Sequence, residues 1–154
     1  MEGYNTELVL RIDWSEMDLF AHVNNVSFFK YIQTSRVNYW EKIGLTHFHN
    51  NSNKGPMLAS TTCKFKKPLF YPGQLTIKCK VGFVKTTSLS IEHLLLNAKG
   101  EIVAEAEDIV VYYDFTKHEK EPIPLFLRDK IEFVEQKNSK PVVRFSFQKR
   151  SLIY

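Results

Sequence analysis

Apolar and polar residues alternate through most of this 154-residue chain, and the alternation changes period once, early on. From Leu8 to Trp14, Leu8, Leu10, Ile12 and Trp14 fall on one face and Val9, Arg11 and Asp13 on the other, the period of a half-buried strand. Beyond residue 24 the apolar positions recur every three or four residues: Phe29, Ile32, Arg36, Trp40 and Ile43 share one helical face. Asn24 or Asn25 can cap that helix, and Gly44 can end it in a left-handed conformation. Because the helix is apolar over much of its surface, it is expected to be enclosed by sheet. A polar loop, THFHNNSNKGP, follows. Four strands come next, near residues 57–66, 74–83, 88–97 and 102–113. NAKG joins the last two as a hairpin, and Pro72 and Gly73 shape the turn before the second. A short helix should start near Pro124. The order predicts an α+β domain, an antiparallel sheet of five or six strands wrapped around one long central helix.

Composition narrows the class. An apolar fraction of 44% and twelve Phe support a folded, sheet-rich interior. No apolar run reaches the roughly 18 residues of a membrane span, and the first twelve residues lack the pattern of a secretory signal, so a cytoplasmic protein is expected. Cys63 and Cys79 each lie on the apolar phase of a strand and read as two buried free thiols. Of the 21 Lys and Arg, five lie between Gln136 and Tyr154 with no acidic residue, which leaves 16 against all 17 acidic residues elsewhere. The basic character thus belongs to the tail. Residues 1–135 read as one domain and 136–154 as a basic extension. In that extension Val143, Phe145 and Phe147 alternate with polar residues, as one further strand would. No stacking platform or RNA-binding signature accompanies the charge, so a nucleic-acid partner is not expected. His47 and His49 form an i, i+2 pair that nothing nearby completes into a zinc site, and no metal or other cofactor is expected.

The junction DWSEMDLFAHVNNVSFFKYIQTSR concentrates the chemistry-bearing residues. Asp18 and His22 precede the helix by a few residues. The unpaired N–H groups and positive dipole end of a helix start would lie near Asn24, Asn25 and Val26. A carboxylate there is often only a favourable partner for the helix dipole, and asparagines there are often only caps. The same place also suits a carbonyl whose developing oxyanion needs N–H donors.

The stretch from Trp14 to Leu45 resembles the N-terminal motif of hotdog-fold thioesterases of the 4-hydroxybenzoyl-CoA thioesterase group. KFKKPLFYPGQLTIK and EPIPLFL resemble two later motifs of that group, and HVNN is similar to the acyl-carrier-protein thioesterases of plants. The resemblance covers about residues 7–131. It implies a hotdog fold and hydrolysis of an acyl-CoA to a carboxylic acid and CoA. It implies Asp18 as the catalytic carboxylate, His22 as its companion, and Asn24, Asn25 and Val26 as the oxyanion site. Sites in such folds lie between protomers, so a homodimer or homotetramer is implied. Ser60, Thr61 and Thr62 become candidates for positioning the acyl group, against the alternative of hydroxyls satisfied within the sheet. Lys85, Thr86 and Thr87 become candidates for meeting CoA phosphates, against an ordinary polar turn.

The chain departs from the group's pattern at three places. Gln33 stands where many relatives carry an acid, Phe20 where the plant enzymes carry Asn, and Gly73–Gln74 where Gly-Asp is commoner. Two other readings follow. One is an acyl-thioester hydratase or dehydratase of the same fold, which Gln33 weakens. The other is a non-catalytic protein that binds acyl thioesters or a protein partner, which the retained Asp18 and His22 weaken.

Overall fold

The computed structural model describes residues 3–136. The alternating segments form strands β1 (Thr6–Arg11), β2 (Lys54–Phe65), β3 (Gln74–Val84), β4 (Ser88–Asn97), β5 (Ile102–Asp114) and β6 (Glu119–Lys120). Helix α1 spans Asn25–Lys42, α2 Leu45–Ser52 and α3 Leu125–Gln136. The strands make one antiparallel sheet in the order β1-β3-β4-β5-β2, with β6 paired to the end of β5. This is the expected hotdog architecture, and the basic extension of 136–154 falls, beyond its first residue, outside the described residues.

Strand register explains the inner face. Ile77 pairs with Leu8 on one side and Leu95 on the other; Cys79 pairs with His93, and His93 with Ala106. Alternation along each strand sends these side chains toward α1. Two apolar clusters result. Phe28 and Ile32 of α1 pack with Ile77, Leu95 and Val103, while Tyr39, Trp40 and Ile43 pack with Ile91, Val110 and the α3 residues Leu127 and Ile131. Each such fully enclosed side chain contributes about 1.5–3 kcal/mol relative to exposure.

Four local features differ from the sequence reading. The polar stretch after Gly44 is helical: Gly44 adopts φ 72°, which ends α1, and the chain at once starts α2. Strand β2 begins three residues early, at Lys54, and carries an irregularity between Leu58 and Ser60. Trp14, expected in phase with Ile12, is exposed, because the chain leaves the sheet at Arg11 and turns. Cys79 is buried, but Cys63 is only partly so; both are free, and burial pushes the Cys63 thiol up to about 11.

The enclosure of α1 is one-sided. The helix packs on β1, β3 and β4. Val26 and Val37 on its other side are 70% and 41% exposed, and Leu58 and Phe65 of β2 are 41% and 49% exposed. One helix covers only half of a sheet this wide, so the seam between α1 and β2, with the outer edge of β2, lies open. Among the described residues no helix is long and apolar enough to cross a membrane.

Candidate active site

The lead-in to α1 is built by short-range hydrogen bonds. After β1, the Ile12 N–H donates to the Gly73 carbonyl at 2.9 Å. Asp13 caps a single 3-10 turn (Trp14–Glu16), accepting from Ser15 N–H at 2.8 Å; the Ser15 bonds hold its carboxyl below the usual range. Glu16 returns the contact by accepting from Asp13 N–H at 2.7 Å. It is buried and also accepts from the Tyr31 hydroxyl at 2.9 Å, tying the turn to the first part of α1. Burial, helped by Glu16, pushes the Tyr31 hydroxyl well above its usual range. Asp13 and Glu16 therefore organise the junction.

Asp18 stands in the next loop, which closes between Met17 and Val23 through an antiparallel bridge. The Asp18 N–H donates to the His22 carbonyl at 2.7 Å, and Ala21 takes φ 61° to let the chain reverse. One carboxylate oxygen of Asp18, Oδ1, accepts from Phe20 N–H at 2.8 Å and His22 N–H at 3.2 Å. The side chain is thus locked by the loop it begins, and Oδ2 has no partner among the described residues. His22 meets Asp18 through its main-chain N–H, and its ring packs edge-to-face on Phe70 at 5.2 Å. Phe20, where a polar residue had a family precedent, projects from the loop tip, 79% exposed.

Asn24 is the helix cap: its side chain accepts from Ser27 N–H at 2.8 Å. That bond occupies the third amide of α1. The Asn25 and Val26 N–H groups, which have no carbonyl a turn earlier within the helix, are unpaired among the described residues. Asp18, His22 and Asn25 line one cleft of about 350 Å³ with Val23, Phe28, Phe65, Lys66, Lys67 and Pro68. The loop is fastened to the far wall by Val23 N–H donating to the Leu69 carbonyl at 2.9 Å. The cleft thus offers a fixed carboxylate, the Asn25 end of a helix start whose next amide, that of Val26, is also open, and an aromatic wall where Phe28 meets Phe65 edge-to-face at 5.1 Å.

The other candidates lie away from this cleft within one protomer. Thr61 faces inward on β2 opposite Asp108, whereas Ser60 and Thr62 lie on the other face, Thr62 donating to the Glu107 carbonyl at 3.4 Å. Lys85, Thr86 and Thr87 follow the far end of β3 and line no part of this cleft. Their main chain is structural: Arg128 donates to the Lys85 and Thr86 carbonyls, and Tyr112 N–H to the Thr87 carbonyl. Lys66 and Lys67, which nothing in the spacing of KFKKP marks as site residues, also line the cleft. Among the described residues no group of three or more His, Cys, Asp or Glu is placed to hold a metal ion.

A second polar cluster lies buried between α1 and the sheet. Asp108 Oδ2 accepts from Arg36 Nη1 and from His93 Nε2, each at 2.8 Å, and His93 Nδ1 meets the Ser35 hydroxyl at 3.1 Å. Burial pushes the Asp108 carboxyl up, but the hydrogen bond and charge of His93, with Arg36, outweigh it and hold the group below its usual range. Asp108 Oδ1 completes no hydrogen bond, though the Thr61 hydroxyl stands near enough to favour the charged form.

The family model of the thioesterase-like superfamily matches residues 12–131, which include the whole junction and every strand of the sheet except β1. The chain belongs to this superfamily. A relative from Bacillus subtilis (strain 168), the uncharacterized protein YsmA, is 30% identical over 90 residues. That match covers 58% of this chain and 60% of YsmA, so the chain spans about three-fifths of the curated relative. Among solved structures, a Thermus thermophilus thioesterase complexed with coenzyme A and Zn superposes with a TM-score of 0.79 at 21% identity, over 92% of this chain and 100% of that one. PA2801 of Pseudomonas aeruginosa gives 0.74 at 24% identity, over 81% and 96%. A 1,4-dihydroxy-2-naphthoyl-CoA thioesterase from Synechocystis gives 0.73 at 12%, over 81% and 93%. These superpositions establish the superfamily member's fold as hotdog.

Proposed function

We propose that this superfamily member is an acyl-CoA thioesterase whose carboxylate is Asp18. The observation that carries the reading is the pairing, at one cleft, of a carboxylate with one free oxygen and the Asn25 end of a helix whose first two amides are free. The thioester carbonyl lies toward the Asn25 and Val26 N–H groups, which receive the negative charge that forms on oxygen during attack. Asp18 Oδ2 takes a proton from a water molecule as that water adds to the carbonyl carbon. The tetrahedral intermediate collapses by breaking the C–S bond, and the CoA thiolate leaves and is protonated. Thiolates are good leaving groups, so a site with one carboxylate and two amides is sufficient. His22, held against Phe70, orients the water or the thioester. The carboxylic acid and CoA are the products.

The open edge of β2 supports a homodimer in which two copies pair through β2 and close the seam beside α1. The free thiols support a reducing compartment such as the cytoplasm.

Asp18→Asn tests the assignment, because it keeps the shape and both loop hydrogen bonds and removes the base. Thiol release from acyl-CoA should fall by about 10²–10⁴-fold, with the dimer intact by light scattering. Wild-type turnover in this variant would refute the reading. A single turnover in ¹⁸O-water separates base from nucleophile: label entering the Asp18 carboxyl would show that it attacks the carbonyl itself.

A further inference from the structure

A second cavity, of about 430 Å³, lies away from the Asp18 cleft. It opens at the other end of α1, walled by Trp40, Leu45, Pro56 and Phe115, with Thr46 and His49 at its rim. The volume falls in the ~300–1,000 Å³ of small-molecule sites. No Asp, Glu, Lys or Arg lines it. The wall is fixed: the His49 ring meets Phe115 edge-to-face at 5.5 Å, and His49 Nδ1 donates to the Lys54 carbonyl at 3.0 Å. Behind it lies an apolar void of about 20 Å³, also bordered by Trp40, Leu45 and Pro56. These three residues form the partition between chamber and void, and Trp40 is its largest side chain.

Within one protomer the chamber is too far from Asp18 to share a ligand's reactive end, since α1 alone separates them by about 27 Å. Strand β2 links the two places differently. Phe65 lines the Asp18 cleft and Pro56 the chamber, and both lie on the same edge strand, about 30 Å apart. When two copies pair antiparallel through that edge, the cleft end of each β2 meets the chamber end of the other.

We infer that the chamber lodges the acyl group of the thioester cleaved by the partner's Asp18, that it takes uncharged apolar acyl groups, and that Trp40 sets their length. The inference rests on the thioesterase reading and adds the substrate class, the protomer that supplies the pocket and the residue that limits it. With no Lys or Arg in the lining and only Thr46, His49 and Asn53 as polar residues, a second carboxylate on the acyl group has no charged Lys or Arg partner there, so dicarboxylic acyl-CoAs are disfavoured.

The test uses the full chain with acetyl-, hexanoyl-, decanoyl- and glutaryl-CoA. Wild type should prefer hexanoyl- over glutaryl-CoA. Thr46→Trp, at an exposed rim position, should lower the hexanoyl-to-acetyl ratio of kcat/KM about tenfold or more. Trp40→Leu, by opening the partition, should raise the decanoyl-to-hexanoyl ratio by a similar factor. Co-expressed, separately tagged Asp18→Asn and Thr46→Trp chains decide the geometry. Each homodimer should fail on hexanoyl-CoA, while the purified mixed dimer regains one of its two sites and about half the wild-type rate.

A silent mixed dimer, a preference for glutaryl-CoA, or equal losses on acetyl- and hexanoyl-CoA in Thr46→Trp would overturn the inference. So would wild-type hexanoyl-CoA hydrolysis by that variant. These failures are distinct from failure of the thioesterase reading, which is an Asp18→Asn homodimer that still hydrolyses acetyl-CoA.

Discussion

Removing the guanidinium of Arg36 probes how α1 is held on the sheet. Arg36 donates to Asp108 at 2.8 Å, and the two side chains are 13% and 0% exposed, so the pair is shielded from salt and water. Charge centres roughly 4 Å apart at an effective dielectric near 20 attract by about 4 kcal/mol. Arg36→Met keeps most of the side-chain volume but leaves the buried carboxylate with only His93 and the nearby Thr61 hydroxyl. Breaking a buried pair from one side costs about 3–5 kcal/mol, a large part of the ~5–15 kcal/mol that holds a domain together. Urea unfolding should show the midpoint falling by about 2 M with an unchanged slope.

The double variant Arg36→Met/Asp108→Asn should recover more than half of that loss, because the stranded charge goes while the new amide oxygen still accepts from His93. The pH dependence follows from the direction of the Asp108 shift. Its carboxyl is depressed below the ordinary 3.8, so its contribution is fully present above that value. The contribution is lost as pH falls through the depressed folded-state pKa, and the difference between wild type and the double variant should shrink in that acid range. A single-variant loss under about 1 kcal/mol, the level of exposed ion pairs, would refute the argument.

Other substitutions probe the junction and the end of α1. Asn24→Ala removes the cap on Ser27 N–H and should cost about 0.5–2 kcal/mol in thermal or urea unfolding, with Asn24→Ser retaining most of it. Gly44→Ala forces a Cβ into φ 72° and to 2.9 Å from Lys130 Nζ, and should cost about 1–2 kcal/mol. Tyr39→Phe removes the hydroxyl that donates to Glu135 at 2.6 Å and should cost about 1–3 kcal/mol, read as a lower melting temperature.

Local periodicity carried much of this fold. The alternation in Gln74–Phe83 and Ser88–Asn97 reflects strands with one buried face, and it located β3 and β4 to within a residue. The three- and four-residue spacing after Asn24, with its cap and Gly44, bounded α1. The Asp18-to-Asn25 part of the candidate site was legible for the same reason: a tight loop and a helix start are made by neighbours in sequence. The helix α2 was not legible, because its polar face and short length leave no apolar stripe to read; packing of Leu45 and Phe48 against the core stabilises it.

Long-range pairing decided the rest. No spacing in the sequence announces that Arg36 will meet a carboxylate 72 residues away, or His93 one 15 away, since strand order brings them together. The chamber behind Trp40 likewise exists only because α2, β2 and the end of β5 converge there. Which residues form strands and helices, and which polar groups cluster at one turn, is set by near neighbours along the chain, whose steric and hydrogen-bonding preferences act over a few residues. Which face of α1 is covered, which charges are buried, and where a cavity of useful size is left depend on the order of strands in the sheet, a choice made by the total burial of apolar surface rather than by any single segment.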